Sequence, residues 1–544
     1  MRSYYEEINR AIEQLRDQDN VARPDGEQLR RMAEPYGVRT QFGNVNYSTA
    51  VRNRSKELTV ILGGPEVMVG DLNPNQQRII RQLPETLKKV HRYMQQAPLV
   101  CVARAMGQNP DFSPHCTLYV STHRKDCIRV PYMWYQTLYD ARHATGPEMN
   151  IVYIPEWQEK DRQALVFPEI GVTYVLGTDY FGESKKGFLR MAMWFAKARG
   201  MLGLHAGSKL ITARTPSGKL KRYGMLLLGL TATGKTTHAA HNHNLDREGE
   251  EVKLVQDDVV FWREDASALG SEAGLFIKTD SLEDGSQPIL YEAAKSPNTI
   301  FENVMVDYLG RVYMSDEVLT GNGRAVVRRD DLGGLASESI DLPAPEELDR
   351  LLIFFITRRN TILPPAAKLT TAQGAAAFML GESVHTSGSN PLRAGESIRQ
   401  VGTNPFIVGD EAFEGNRFYE ILRAHEDKID CYQLNTGGVG EILEIDERTG
   451  ERNALQKVDR VAISEMAAII RGIVREDIVW EEEPIWGTEL PLAVDGVNLD
   501  RFEPHHFYTQ EQIDNYVAEL RAGRIRHLEK FEGLHPDIVS AFKL

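Results

Sequence analysis

"YGMLLLGLTATGKTTHAAHNHNL", residues 223–245, is an apolar run that breaks into glycine, threonine and lysine. Gly229-Leu-Thr-Ala-Thr-Gly234-Lys235-Thr236 fits G-x-x-x-x-G-K-[ST] at every fixed position. The glycines let the backbone turn so that successive N–H groups face an anion. Lys235 adds a point charge for β- and γ-phosphates, and the Thr236 hydroxyl can ligate Mg²⁺. An apolar strand leads in, and the alanine-containing "TTHAAHNH" can start a helix whose N-terminal dipole favours the same anion. Strand, glycine-rich turn and helix in that order predict a nucleotide-binding α/β fold. The expected nucleotide contacts are Gly229, Leu230, Thr231, Ala232, Thr233, Gly234, Lys235, Thr236 and Thr237.

Some twenty residues on, "VKLVQDDVVFW" reads as a strand interrupted by Asp257 and Asp258. Carboxylates at a strand end beside a phosphate loop are what a divalent cation needs. His238, His241 and His243 have the spacing of no standard zinc site, and the pattern predicts histidines on a helix surface.

Around this loop the chain reads as mixed α/β. Tyr5, Ile8, Ile12 and Leu15 recur at helical spacing, and "RPDGEQ" breaks that pattern. From Val45 to Val175, β-like runs such as "CTLYVST" and "VTYVLGT" alternate with helical ones such as "NQQRIIRQLPETLKKVHRYM". A helix is expected in "KKGFLRMAMWFAKARG", and another in "TTAQGAAAFMLGES". "GEILEIDERTGERNALQK" predicts a hairpin and "WEEEPIWGTELP" a charged connector. The last helix, in "TQEQIDNYVAELRAGRIRHLEKF", opens with a capping box of Thr509 and Gln512 and carries Ile513, Tyr516, Val517 and Leu520 on one face.

The net charge of −14 over 544 residues gives no support to a nucleic-acid or anionic-membrane partner. Cys101, Cys116, Cys127 and Cys431 lie scattered, as in a reducing compartment. The first residues lack the apolar core of a signal peptide, and no apolar run approaches a membrane span. The expected location is the cytoplasm.

The segments flanking the loop are more specific, and here the chain resembles ATP-dependent phosphoenolpyruvate carboxykinase. That family's loop reads Gly-Leu-Ser-Gly-Thr-Gly-Lys-Thr-Thr, against "GLTATGKTT" here. Upstream, "YFGESKKG" resembles Tyr-Gly-Gly-Glu-Met-Lys-Lys-Gly, matching at Tyr180, Lys185 and Lys186 among others. "GLHAGSK" places His205 at the family's histidine. "VQDD" corresponds to Gly-Asp-Asp, "FIKTDSL" to Ala-Lys-Thr-Ile-Lys-Leu at Lys278, and "GNGRAVV" to Asn-Thr-Arg-Val-Ser at Arg324. The resemblance is closest from about 178 to 440 and absent in the last ~70 residues.

The resemblance implies a two-lobed fold: an N-terminal α/β domain on the substrate side (1–203), a phosphate-loop domain for nucleotide and metal (204–475), and a C-terminal extension (476–544). It implies decarboxylation of oxaloacetate to an enolate, followed by transfer of the γ-phosphoryl of ATP to give phosphoenolpyruvate. Lys186, His205 and Asp258 would ligate Mn²⁺, and Mg²⁺ would sit at Thr236 with the nucleotide. A lysine ligates only as the uncharged amine, which neighbouring Lys185 and the dication both favour. Lys185, Lys235, Asp257 and Arg324 complete the expected catalytic set, with Tyr180 toward substrate and Lys278 and Gln287 toward nucleotide.

Four departures stand out. Thr231 and Ala232 replace Ser-Gly within the loop, Gln287 replaces a glutamate, and Arg358 to Thr361 replace Asp-Ala-Phe-Gly. The substrate-binding arginine of Gly-Arg-Ser-Pro-Lys-Asp has two counterparts in "AVRNRSKE", Arg52 and Arg54. Phosphate contacts ignore the base, so GTP stays open beside ATP. Two other readings use the same loop: a small-molecule kinase without decarboxylation, which needs neither Lys186 nor His205 as ligands, and a non-catalytic nucleotide sensor, which needs none of Tyr180, Lys186, His205 and Arg324.

Overall fold

The apolar run ahead of the loop forms the strand Leu220–Gly229, buried from Tyr223 onward. This is a computed structural model that describes residues 2–51, 56–68, 70–158, 162–230, 233–280, 282–285, 287–316, 322–385, 391–393, 395–446 and 448–543. From Tyr223 on the strand is apolar because it is central, with partners on both edges. It runs antiparallel to Ala206–Arg214 and parallel to Arg350–Thr357. The whole sheet has eight strands in the order 251–256, 206–214, 220–229, 350–357, 429–435, 366–369, 488–491 and 480–483. Its far edge corrects one expectation. "WEEEPIWGTELP" is no simple connector: Trp480–Glu483 and Thr488–Pro491 pair as an antiparallel hairpin that extends the sheet.

The chain divides into two compact units. One comprises Met1–Gly203, Leu269–Gly333 and Phe406–Asp410, and the other Leu204–Ala268, Gly334–Pro405 and Glu411–Leu544. Unlike the contiguous division drawn on the sequence, both units are discontinuous. Strand pairing across long separations is the cause: Ile300–Glu302 runs parallel to Val45–Tyr47, which holds 269–333 in the first unit. In the second unit, the helix Gln510–Leu528 buries Arg524 against Glu382.

Among its described residues the first unit has two main sheets besides a two-stranded pair, Met305–Val306 with Val312–Tyr313. The larger orders its strands 21–22, 99–105, 115–121, 148–154, 172–176, 163–167 and 59–61. The helices Arg2–Gln14 and Pro74–Met94 pack on it through Ile8, Ile12, Ile79, Leu83 and Leu87, with Leu15 just past the first helix, all buried. The helical periodicity of those apolar positions is what makes this face. The smaller sheet orders 274–278, 324–328, 300–302, 45–47 and 38–39. The helix Phe181–Lys197 follows Tyr180 at its N-cap. At the other end of the chain, the capping box of Thr509 and Gln512 forms reciprocally. Among the described residues no helix is long and apolar enough to cross a membrane.

Candidate functional site

In the second unit, the strand Leu220–Gly229 delivers its carboxyl end into the phosphate loop. A side chain at Gly229 would meet the Thr233 hydroxyl at 2.5 Å and Ile356 at 3.2 Å, so the loop can fold back only over glycine. Gly234 turns at φ +101°, a left-handed conformation that disfavours other residues. Lys235 then opens a helix of five residues, Lys235–Ala239. Thr436 braces the loop: its hydroxyl donates to the Thr233 carbonyl at 2.7 Å, with the Thr357 carbonyl 3.2 Å from the same oxygen. Thr231 and Ala232 lie outside the described residues.

Three of the expected residues converge here. His205 Nε2 lies 3.1 Å from Asp258 Oδ1, and Lys235 Nζ lies 3.3 Å from the same oxygen. His205 Nδ1 is 2.8 Å from the Thr403 carbonyl, which can only accept, so Nδ1 carries the hydrogen. That leaves Nε2 facing a carboxylate oxygen: protonated, it donates to Asp258; unprotonated, it turns a lone pair toward it. In the unprotonated form the two facing acceptors can share a cation. Ligand atoms at about 2.1 Å from one ion and at right angles lie about 3.0 Å apart, so the pair fits two adjacent ligands of a divalent metal. Asp257, next in the chain, is buried, and Thr236 sits one residue into the helix, partly exposed.

In the first unit, strand register aligns the other expected residues. Lys278 and Glu302 both stand opposite Arg324 on adjacent strands. Arg324 Nε donates to Asn322 Oδ1 at 3.1 Å, its guanidinium lies over the Phe276 ring, and Lys278 Nζ reaches Asp280 at 3.1 Å. Glu302 is fully buried and accepts from the Phe181 N–H at 3.2 Å. Burial pushes its carboxyl up to about 7, against the pull of Arg129 and the Phe181 N–H, with Asp179 adding to the rise. The sequence expectation left Glu302 out, although a glutamate inside the apolar strand run "TIFENV" is a signal in itself.

Lys185 and Lys186 leave their helix in different directions. Lys185 Nζ forms a buried ion pair with Glu272 at 2.7 Å, so its charge is compensated locally. Lys186 lies with Nζ 5.0 Å from the Phe406 ring centre. Tyr180 is buried, and its carbonyl accepts from the Tyr153 hydroxyl at 2.8 Å. Gln287 is the N-cap of the helix Pro288–Ala294 and is buried. Asp179 accepts from the N–H groups of Ala50 and Val51 at 3.0 and 2.9 Å, anchoring the approach to "RNRS". Arg52 and Arg54 themselves lie outside the described residues. A cavity of about 760 Å³ in this unit opens by Arg30, Tyr47, Tyr132 and Arg328, and none of the expected site residues lines it.

The histidine trio corrects another expectation. His238 and His243 are buried, not displayed on a helix surface, and His241 is partly so. Burial, reinforced by nearby Lys209, holds His238 down to about 3 and His241 to about 4, so both rings are neutral at physiological pH.

Comparison with known proteins agrees in direction. The sequence model of the phosphoenolpyruvate carboxykinase family matches residues 22–500. A phosphoenolpyruvate carboxykinase (ATP) from Aeropyrum pernix is 33% identical over 391 residues, covering 69% of this chain and 70% of that protein. One of the same name from Rhizobium rhizogenes is 26% identical over 403 residues, covering 72% and 69%. A third, from Brucella anthropi, is 25% identical, covering 71% and 68%.

Proposed function

The chain belongs to the ATP-dependent phosphoenolpyruvate carboxykinase family, and from that premise we propose which of its side chains carry the chemistry. It is a carboxy-lyase that converts oxaloacetate to phosphoenolpyruvate with ATP and a divalent metal. The C–C bond to the departing carboxylate breaks, CO₂ leaves, and its electron pair stays as an enolate. The enolate oxygen then takes the γ-phosphoryl group, and ADP departs.

His205 and Asp258, with Lys186, would hold one divalent cation, which we take to be Mn²⁺. When bound, that cation supplies polarisation of the substrate carbonyl and stabilisation of the enolate charge. The 3.1 Å separation of His205 Nε2 and Asp258 Oδ1, with Nδ1 tied to Thr403, carries this reading. Lys186 enters by its place in the "ESKKG" motif. Thr236 serves Mg²⁺ with the nucleotide. Lys235 and Arg324 spread the charge on the transferred phosphoryl group, and Lys278 and Gln287 belong to nucleotide binding. Tyr180 and one of Arg52 and Arg54 orient oxaloacetate, where a guanidinium suits a carboxylate by its two parallel N–H bonds. The setting is the cytoplasm, which scattered cysteines suit.

The test is an assay of the purified chain with oxaloacetate, Mn²⁺ and ATP. His205→Ala and Asp258→Asn should cut phosphoenolpyruvate formation by about 100-fold or more while ATP affinity changes little. Lys235→Ala should weaken ATP binding itself. Unchanged turnover in His205→Ala would overturn the assignment.

A further inference from the structure

The nucleotide loop ends in a very short helix, and something must hold that helix in register. A five-residue helix has no stability of its own. Its last carbonyls, at the end opposite the loop, also lack partners within the helix. Lys209 fills that gap. Its side chain is fully buried, and Nζ donates to the His238 carbonyl at 2.5 Å and the His241 carbonyl at 3.2 Å. It also meets His243 Nε2. The chain bends to make this socket, with His243 and Asn244 at φ +55° and +53° and the His243 N–H on His241 Nδ1 at 2.7 Å.

Lys209 lies on the strand Ala206–Arg214, two residues after Gly207. A side chain at Gly207 would meet the Ala239 side chain at 3.0 Å, so the helix rests directly on that strand. Residues two apart share a strand face, which places Gly207 under the helix and Lys209 at its end. His205 immediately precedes this strand.

We propose that Lys209 is a positioning residue for ATP: it fixes the helix that presents Lys235 and Thr236 against the strand that follows His205. Among the described residues no carboxylate is a hydrogen-bond partner of Lys209; two carbonyls and an imidazole nitrogen take up the three directions of the amine. The socket works in either proton state. A charged amine donates three bonds, and a neutral one donates two and accepts from an Nε2–H of His243. The proposal rests on residues 229–237 being the nucleotide loop.

The test measures ATP binding to the full chain by calorimetry, with KM for ATP and for oxaloacetate measured in parallel. Lys209→Met should raise the ATP Kd about ten-fold and leave the oxaloacetate KM within about two-fold, because a displaced loop costs phosphate contacts first. His243→Gln, which keeps a polar atom at the Nε2 position, should behave as wild type, and His243→Leu should follow Lys209→Met. In Lys209→Ala, added n-propylammonium should restore ATP affinity and n-propanol should not. A purely structural lysine would lower the folded fraction without splitting the two KM values. A folded Lys209→Met chain that binds ATP normally, or His243→Leu indistinguishable from His243→Gln, would overturn the proposal. Wild-type chain that fails to bind ATP would instead sink the nucleotide-loop reading, and this proposal with it.

Discussion

Glu382→Gln should destabilise the phosphate-loop unit far more than Arg524→Met, although the two residues form one ion pair. The Glu382 carboxylate is buried among three guanidiniums. Arg359 Nη2 lies at 2.9 Å from Oε2, Arg399 Nη2 at 3.5 Å from Oε2, and Arg524 Nε at 3.0 Å from Oε1. Removing the one carboxylate they share among the described residues leaves two buried cations, Arg359 and Arg524, beside the partly buried Arg399, a loss at the upper end of the range for broken buried pairs, about 5 kcal/mol. Removing Arg524 leaves the carboxylate with two cations, and methionine keeps the apolar stem. The lost charged hydrogen bonds and the contacts with Trp486 and Phe542 then cost about 2 kcal/mol. At roughly 2 °C per kcal/mol for a unit of this size, the melting transition should fall by roughly 10 °C and roughly 4 °C respectively. Hydrogen exchange should localise the Arg524→Met effect to the helix Gln510–Leu528. The acid limb gives a second readout. Burial raises the Glu382 carboxyl, but Arg359 and Arg524 more than reverse this and hold it well below the usual carboxylate range. Its contribution is therefore present above the unfolded value of about 4.3 and lost as pH falls toward the depressed one. Glu382→Gln should lack that loss. Arg524→Met melting as low as Glu382→Gln would refute the reasoning, because charge balance would then not govern the cluster.

Glu302, pushed up to about 7 by burial, should show an infrared carboxyl signal that titrates near neutral pH and is absent from Glu302→Gln. A raised acid contributes stability below its unfolded value and loses it as pH rises through the folded one, so wild type should weaken between about pH 4.3 and 7 relative to the variant. A midpoint below 5 would contradict this. The Lys185–Glu272 pair, buried at both ends, should give a coupling of about 3 kcal/mol in a double-mutant cycle with Lys185→Met and Glu272→Gln. A coupling under about 0.5 kcal/mol, typical of exposed pairs, would show that water reaches it.

What could be read from the chain was whatever depends on neighbours in sequence. The loop from Gly229 to Thr237 declares itself because its glycines, lysine and threonines act within one turn. The capping box of Thr509 and Gln512 is equally local and forms as written. Asp258 shows as one of two carboxylates ending an apolar strand beside the loop and His205 only through family resemblance, and the structure places them 3.1 Å apart. The histidines at 238, 241 and 243 misled because polar residues after a loop suggest solvent. They pack around Lys209, which comes from the strand Ala206–Arg214. Arg524 is 142 residues from Glu382, and no local pattern marks that partnership. The division into units failed to show for the same reason: the pairing of Ile300–Glu302 with Val45–Tyr47 leaves no trace in either segment alone.

The most direct measurement is Mn²⁺ binding to the full chain by electron paramagnetic resonance, in wild type, His205→Ala and Asp258→Asn, without nucleotide. Wild type should bind one tight ion per chain with nitrogen coupling in its signal. Both variants should lose the tight site, and His205→Ala should lose the coupling with it. Equal tight binding by all three chains would contradict the assignment of His205 and Asp258 to one metal.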